Sequence, residues 1–170
     1  MKNLIITLIC ILLSGCSSVL YEKMEKLSNL NQISYINTTN KKVIKTFEKK
    51  IYGNNNFIIV LGHVCNDYIT YCSYKGIIYS KSNKTKYYFK ETKPKQIEIV
   101  TAYDESYFTL KNILDLFISN DYEILKNYVG VEFNHMESAY YVYDINNNSE
   151  NDNLFIYRNL FMDNNGFLNP

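Results

Sequence analysis

The chain has 170 residues, with 18 lysine and arginine residues against 17 acidic ones and a formal net charge of +1. This length corresponds to one ordinary domain. The near-neutral charge argues against extensive nucleic-acid binding, so no nucleic-acid partner is predicted. A single arginine, Arg158, leaves little provision for bidentate recognition of carboxylate or phosphate groups.

The N-terminus has the pattern of an export signal. Lys2 is followed by an apolar run from Leu4 to Leu13, then by small residues and a cysteine. The run is about ten residues long, whereas a membrane-spanning helix needs roughly 20. It therefore has the length of the hydrophobic region of a signal peptide.

The four residues Leu13-Ser14-Gly15-Cys16 resemble the lipobox of bacterial lipoproteins. This resemblance implies that residues 1–15 are a signal peptide and that Cys16 becomes the N-terminus, carrying a diacylglyceryl group. Two or three acyl chains give a firm membrane anchor, whereas one gives only marginal binding. Serine after the cysteine, in place of an aspartate that signals inner-membrane retention, favours the periplasmic face of the outer membrane. The alternative is an ordinary secretory signal with an incidental cysteine.

Removing residues 1–15 leaves 155 of the 170 residues, enough to bury about 70% of the surface that the unfolded chain exposes. We expect a lipidated N-terminus and stalk over residues 16–32, followed by one α+β domain over residues 33–170. Within the stalk, four apolar residues at helical spacing indicate a short amphipathic helix: Leu20, Met24, Leu27 and Leu30.

The first part of the domain predicts a helix followed by a series of strands. Asn40 is a suitable N-cap for a helix over Lys41–Tyr52, and the apolar run Phe57–Leu61 indicates a strand covered on both faces. The short spacing of the next segments predicts an antiparallel meander of about five strands, because parallel strands need longer crossovers. These segments are Tyr68–Cys72, Gly76–Ser80, Lys86–Lys90 and Gln96–Ala102.

The periodicity becomes helical near Ser106, which is the expected N-cap of a helix with an apolar stripe from Leu110 to Ile118. A second short helix is expected to follow. Two final strands are predicted over Ala139–Ile145 and Leu154–Phe161. The predicted fold class is α+β: an antiparallel sheet, with a meander of about five strands plus two C-terminal strands, packed against two to four short helices.

Cys65 and Cys72 are the two cysteines of the expected mature domain. An exported domain meets an oxidising compartment, where an even pair usually forms a disulfide. A turn at residues 66–67 would leave the two cysteines roughly 13 Å apart along the strand ladder, beyond the ~7 Å Cα limit for a bridge. A turn centred on residues 68–69 would instead place them opposite each other. Both registers are open on sequence grounds.

His63 lies two residues before Cys65, on the same face if this segment is a strand. With Asp67 or a distant carboxylate, the pair could bind a metal ion or serve thiol catalysis. The competing interpretation is a partly buried strand histidine beside a structural cysteine. His135 is expected in a loop, and neither a metal site nor a cofactor is predicted.

One segment partly matches a calcium-binding loop. Asp144, Asn146 and Asn148 occupy the first, third and fifth positions of such a loop. However, Ser149 replaces the glycine and Phe155 replaces the bidentate glutamate. A polar turn between two strands is therefore expected.

Seven lysines and one acidic residue lie between Lys75 and Lys95. The aromatic residues among them indicate a surface for an acidic partner, such as lipid headgroups or an anionic envelope polymer. The alternative is an exposed hairpin whose lysines discourage edge-to-edge pairing of strands. The candidate partner surface consists of Lys81, Lys84, Lys86, Tyr87 and Lys90.

Together these patterns predict a membrane-anchored envelope lipoprotein that is a non-enzymatic binding or structural module. Its expected partners are the membrane, through the lipid on Cys16, and another envelope protein or an anionic envelope polymer. Tethering makes a weak contact effective because it raises the local concentration of the domain. The alternative function is a periplasmic hydrolase or thiol enzyme that uses His63 and Cys65.

Overall fold

The computed structural model describes residues 19–33, 38–50, 56–66, 69–93, 96–100, 103–126, 136–158 and 160. The chain divides into two compact units, Met1–Tyr52 and Gly53–Pro170. Three candidate functional residues, Cys16, Asp67 and His135, lie outside the described residues, as does the rest of the lipobox. Lipid attachment at Cys16 therefore stays a prediction.

The first unit contains two helices, α1 (Val19–Leu30) and α2 (Thr38–Lys50). They pack against each other, and the Glu48 carboxylate accepts a hydrogen bond from the backbone N–H of Leu20. That contact satisfies one of the N–H groups that a helix leaves open at its N-terminus. No helix in the described ranges is long and apolar enough to cross a membrane. The buried apolar residues of the two helices are Leu20, Tyr21, Met24, Val43, Ile44 and Phe47.

The second unit is built on a six-stranded antiparallel sheet with the strand order β4-β3-β2-β1-β5-β6. The first four strands form a meander, and β5 then pairs with the other edge of β1. The sheet and its helices confirm the predicted α+β class. The strands are β1 (Phe57–Asn66), β2 (Ile69–Ser80), β3 (Thr85–Lys93), β4 (Gln96–Val100), β5 (Met136–Ile145) and β6 (Asn153–Arg158).

Two segments predicted separately, Tyr68–Cys72 and Gly76–Ser80, contribute to the single strand β2. Nothing in the intervening residues 73–75 breaks a strand. Glycine normally weakens a strand interior, but the ring of its register partner Phe89 packs over Gly76 and fills the space that a side chain would occupy. The meander therefore has four strands, where about five were expected.

A 3-10 turn (Glu105–Tyr107) leads directly into helix α3 (Phe108–Ser119), and a short helix α4 (Glu123–Lys126) follows. The prediction of Ser106 as N-cap is wrong. The carboxylate of Asp104 caps the turn by accepting a hydrogen bond from the Ser106 backbone N–H at 2.8 Å. Because the 3-10 turn extends the helical segment toward the N-terminus, the capping position moves two residues earlier.

Helix α3 packs on one face of the sheet, which we name the helix face. Gly62 of β1 permits a close approach, because a Cβ atom at this position would lie 2.9 Å from Leu110 Cδ2. The apolar stripe of α3 is therefore buried directly against the strands. The core on the helix face includes Leu110, Ile113, Leu114 and Phe117 of α3 with Ile58, Val60, Ile77, Tyr140 and Val142 of the sheet.

Strand β1 is buried on both faces, as predicted. The five residues from Phe57 to Leu61 are between 0% and 4% exposed, although alternate side chains leave opposite faces of a strand. Ile58 and Val60 belong to the core under α3. Their neighbours Phe57, Ile59 and Leu61 lie on the opposite side of the sheet, which we name the reverse face.

The register of β1 and β2 places Cys65 directly opposite Cys72. A register shift follows at once, so that Asn66 pairs with Ile69 at the end of the hairpin. Directly opposed residues of antiparallel strands have Cα atoms about 4.5–5.5 Å apart, which is within the range for disulfides. Of the two registers open on sequence grounds, the strands adopt the one that aligns the cysteines. The expected turn centred on residues 68–69 is wrong, because the register shift brings Ile69 into β2.

We expect a disulfide between Cys65 and Cys72 in protein exported to an oxidising compartment. The bridge should contribute about 2.5 kcal/mol by closing the loop between the two cysteines, on the chain-entropy account. Peptide mass mapping after alkylation tests this, because the two cysteines should react only after reduction. Two alkylated thiols in unreduced, exported protein would contradict the bridge.

Gly76→Ala should destabilise the second unit because a Cβ atom at this position would overlap the ring of Phe89, which is only 2% exposed. The ring must then move within a packed core, and overpacking of this kind costs about 1–3 kcal/mol. Urea unfolding measures the loss. The double variant Gly76→Ala/Phe89→Leu should recover part of it, and wild-type stability of the single variant would argue against this packing.

Candidate functional site

The five residues of the predicted partner surface do not lie on one surface. Two of them are in the turn between β2 and β3, and the other three are on β3. Side chains alternate along a strand, so Lys86 and Lys90 lie on the helix face and Tyr87 lies on the reverse face. Tyr88 shares the helix face with the two lysines and packs against the core there. Strand alternation alone could have identified Tyr88 instead of Tyr87.

Lys81 holds one end of the sheet together. Its ammonium donates to the Asp144 carboxylate and to Asn146 Oδ1, the latter at 2.9 Å, while its backbone N–H donates to Asn56 O at 3.0 Å. Two side chains of the partial calcium-loop pattern therefore bind a lysine ammonium. Among the described residues, no group of three or more His, Cys, Asp or Glu could hold a metal ion. Lys84, in the same turn, is exposed.

Lys86 shares one carboxylate with a lysine of α3. Lys86 Nζ lies 2.8 Å from Asp115 Oδ1, and Lys111 Nζ lies 2.6 Å from Asp115 Oδ2. Burial acts to raise the pKa of Asp115, but the hydrogen bonds from Lys111 and Lys86 outweigh it and lower that pKa. The hydrogen bond between Lys111 and Asp115 also raises the pKa of Lys111. This triad joins β3 to α3 and sets two ammonium groups against one carboxylate.

Lys75 and Lys90 are direct partners across β2 and β3 on the helix face. Both are half-buried, and neither forms an ion pair with a carboxylate in the part of the chain that the structure describes. Lys75 Nζ lies 3.5 Å from Ser106 O and 5.9 Å from the ring centroid of Tyr107. Burial lowers the pKa of Lys75, the charge of Asp104 opposes this, and the charge of Lys90 adds to it. On balance, the surroundings disfavour the charged form of Lys75.

Tyrosines from β3 and from the segment before α3 lie beside these lysines. Tyr88 makes edge-to-face contacts with Tyr103 and Tyr107, with ring centroids 6.3 Å and 5.3 Å away. Tyr103 is 42% exposed, whereas Tyr107 is fully buried. We define the lysine–tyrosine surface as the six residues Lys75, Lys86, Lys90, Lys111, Tyr88 and Tyr103.

The chemistry of the lysine–tyrosine surface is that of anion binding. Ammonium groups attract anions as point charges without demanding a fixed geometry, and an exposed aromatic ring can cover the apolar face of a sugar. Lys111 and Tyr103 were missed from the sequence because they are distant from β3 along the chain. The apolar stripe of α3 gives a partial signal, since it sets Lys111 and Asp115 one turn apart beside the buried side chains.

His63 lies on the other side of the sheet from this surface. It follows Gly62 along β1, so its side chain belongs to the reverse face. There its ring centroid lies 6.2 Å from that of Tyr74 in an edge-to-face arrangement. This contact gives His63 a packing role, and the thiol-enzyme function that uses Cys65 stays a prediction.

Asp115→Asn should lower the free energy of unfolding at pH 7 by less than about 1 kcal/mol, because the triad is partly exposed and screened by solvent. A carboxyl whose pKa is lowered in the folded state stabilises above its unfolded pKa, near 3.9, and loses that contribution as the pH falls through the folded value. The difference between variant and wild type should therefore vanish by about pH 2. Urea unfolding at several pH values measures it.

The matched control is Asp121→Asn, because Asp121 is exposed and forms no ion pair with another described residue. It should change stability little at any pH. A difference between Asp115→Asn and wild type that stayed constant from pH 7 to pH 2 would contradict the electrostatic role of the triad.

Comparison with known proteins gives no match: no family model, no curated protein and no solved structure is similar to this chain. Its function is therefore inferred from its own residues.

Proposed function

We propose that this protein is a lipid-anchored envelope protein whose folded domain binds an anionic polymer of the cell envelope without catalysing a reaction on it. Cys16 would hold the chain at the membrane, at the periplasmic face of the outer membrane. The lysine–tyrosine surface would contact the polymer. Tethering supports this function because it converts a weak surface contact into an effective one by raising the local concentration.

The observation that carries the proposal is the pair Lys75 and Lys90, two lysines that are direct register partners and form no ion pair with another described residue. The neighbouring lysines of the surface share one carboxylate, that of Asp115. An acidic polymer would supply negative charge where the protein supplies too little. Because lysines attract anions diffusely, the affinity should fall as the salt concentration rises.

Tyr103 favours a polysaccharide over a simple charged chain. Its ring is 42% exposed and rests edge-to-face against Tyr88, which packs on the core. A ring held in this way presents apolar area at little entropic cost, and a sugar ring can stack on it. Ammonium groups beside an aromatic ring therefore match an acidic polysaccharide.

Replacing Cys16 with serine tests the anchor. The lipid is attached through the thiol, so Cys16→Ser should move the protein from the membrane fraction to the soluble fraction of the exported material. Cell fractionation with an antibody against the folded domain measures the distribution. A Cys16→Ser protein that remains fully with the membranes would contradict the lipid anchor.

Tyr103→Ala tests the binding surface. We expect it to weaken binding to polygalacturonate by roughly fivefold, which corresponds to about 1 kcal/mol, because the sugar ring loses its stacking partner. Biolayer interferometry at two salt concentrations measures both the loss and the salt dependence. Lys84→Gln is the matched control, since Lys84 is exposed in the turn outside the surface. Wild-type binding by Tyr103→Ala, or binding of neutral dextran with equal affinity, would contradict the proposal.

A further inference from the structure

We propose that Lys75 and Lys90 form a binding site for one phosphate monoester group, carried by the anionic polymer. This inference rests on the proposed function and deepens it by naming the chemical group that the lysine–tyrosine surface recognises. The site is the space between the two ammonium groups on the helix face, beside the 3-10 turn that precedes α3.

The strand register sets the two lysines against each other. Lys75 and Lys90 are direct partners of the antiparallel pair β2–β3, so their side chains start about 4.5–5.5 Å apart on the same face. Like charges in this arrangement destabilise a sheet. Two flexible side chains of this length can nevertheless reach one anion between them, and a shared anion would turn the repulsion into a common attraction.

The surrounding carboxylates do not remove this excess charge. Lys81, Lys86 and Lys111 each form an ion pair with a carboxylate. Among the described lysines of this part of the sheet, Lys75 and Lys90 differ in forming no ion pair. Glu98 is the register partner of Lys90 on β4, yet the two form no ion pair. The facing pair is thus the place on this surface where an external anion has most to neutralise.

The negative charge of Asp104 attracts both lysines, but its carboxylate is held by hydrogen bonds from Ser106. Its oxygen accepts hydrogen bonds from the backbone N–H and the hydroxyl of Ser106, which cap the 3-10 turn. The bond from the Ser106 hydroxyl is the largest cause of the lowered pKa of Asp104, and the backbone bond and the charges of Lys75 and Lys90 add to it. Burial of Lys75 still outweighs the attraction of Asp104, since the pKa of Lys75 is lowered. The pair therefore keeps capacity for a second anion.

Two ammonium groups match the charge of a phosphate monoester, which is about −1.5 to −2 at pH 7. A carboxylate carries a single charge and would balance only one of them. Lysine binds phosphate as a point charge, so the scarcity of arginine in this chain is no obstacle.

The test compares inorganic phosphate with acetate on the full-length protein in neutral detergent, at pH 7 and constant ionic strength. We expect phosphate to bind roughly tenfold more tightly than acetate and to raise Tm more, because a ligand of the native state stabilises it by mass action. The signals of the Lys75 and Lys90 side chains should move in an NMR titration with phosphate. Equal affinity for the two anions would overturn the assignment to phosphate.

Lys90→Gln and Lys75→Gln separate a binding role from a structural one. Each should abolish the preference for phosphate, and Lys90→Gln should leave Tm without phosphate equal to or above that of the wild type, because the repulsion is relieved. Lys84→Gln removes the same charge outside the pair and should keep the preference. Phosphate preference retained in both pair variants would overturn the proposal, as would a marked loss of stability in Lys90→Gln.

Two further probes identify the source of the phosphate. Competition by glucose 1-phosphate supports a sugar-borne group, whereas binding confined to vesicles that contain phosphatidic acid would overturn the polymer as the source.

Failure of the phosphate site can be distinguished from failure of the proposed polymer-binding function. If polymer binding depends on Tyr103 but not on Lys75 and Lys90, the surface stands and the phosphate site falls. If the pair selects phosphate but no polymer binds, the site stands and the polymer-binding function falls.

Discussion

The packing of α3 on the sheet is the contact on which the second unit depends. The helix carries its apolar residues on one stripe, and Gly62 lets Leu110 lie close to the backbone of β1, since a Cβ atom at Gly62 would be 2.9 Å from Leu110 Cδ2. A helix of this length would be only marginally stable by itself in water, and in a protein most of its stability comes from burying such a stripe. The position of α3 in turn fixes the groups that lie beside the helix and just before its first turn.

Those groups form the lysine–tyrosine surface together with β2 and β3. Asp115 is held between Lys111 of the helix and Lys86 of the strand, and the segment before α3 brings Tyr103 against Tyr88. The surface is thus assembled from two parts of the chain that meet only because α3 is docked. Its ion pairs contribute little to stability individually, so the apolar contacts position the charges, and the charges are available for binding.

Local pattern predicted the architecture better than the site. The run Phe57–Leu61 has no polar residue, and its short length correctly indicated a strand buried on both sides. The strand break predicted before Gly76 was wrong because a ring from another strand packs over that glycine. The partner surface failed for a related reason. Sequence proximity grouped Lys81 with Lys86. In the structure Lys81 instead forms an ion pair with Asp144, and residues from α3 complete the surface around Lys86. Both errors concern contacts between residues distant in the chain, which periodicity does not encode.

Hydrogen exchange in the presence of an acidic polysaccharide tests the central claim most directly, because it locates a bound polymer without any substitution. We expect polygalacturonate to protect backbone amides of β3 and of the segment leading into α3, around Lys90 and Tyr103, and added salt to remove this protection. Protection centred on the β5–β6 loop around Asn147, or no protection at any polymer concentration at low salt, would contradict it.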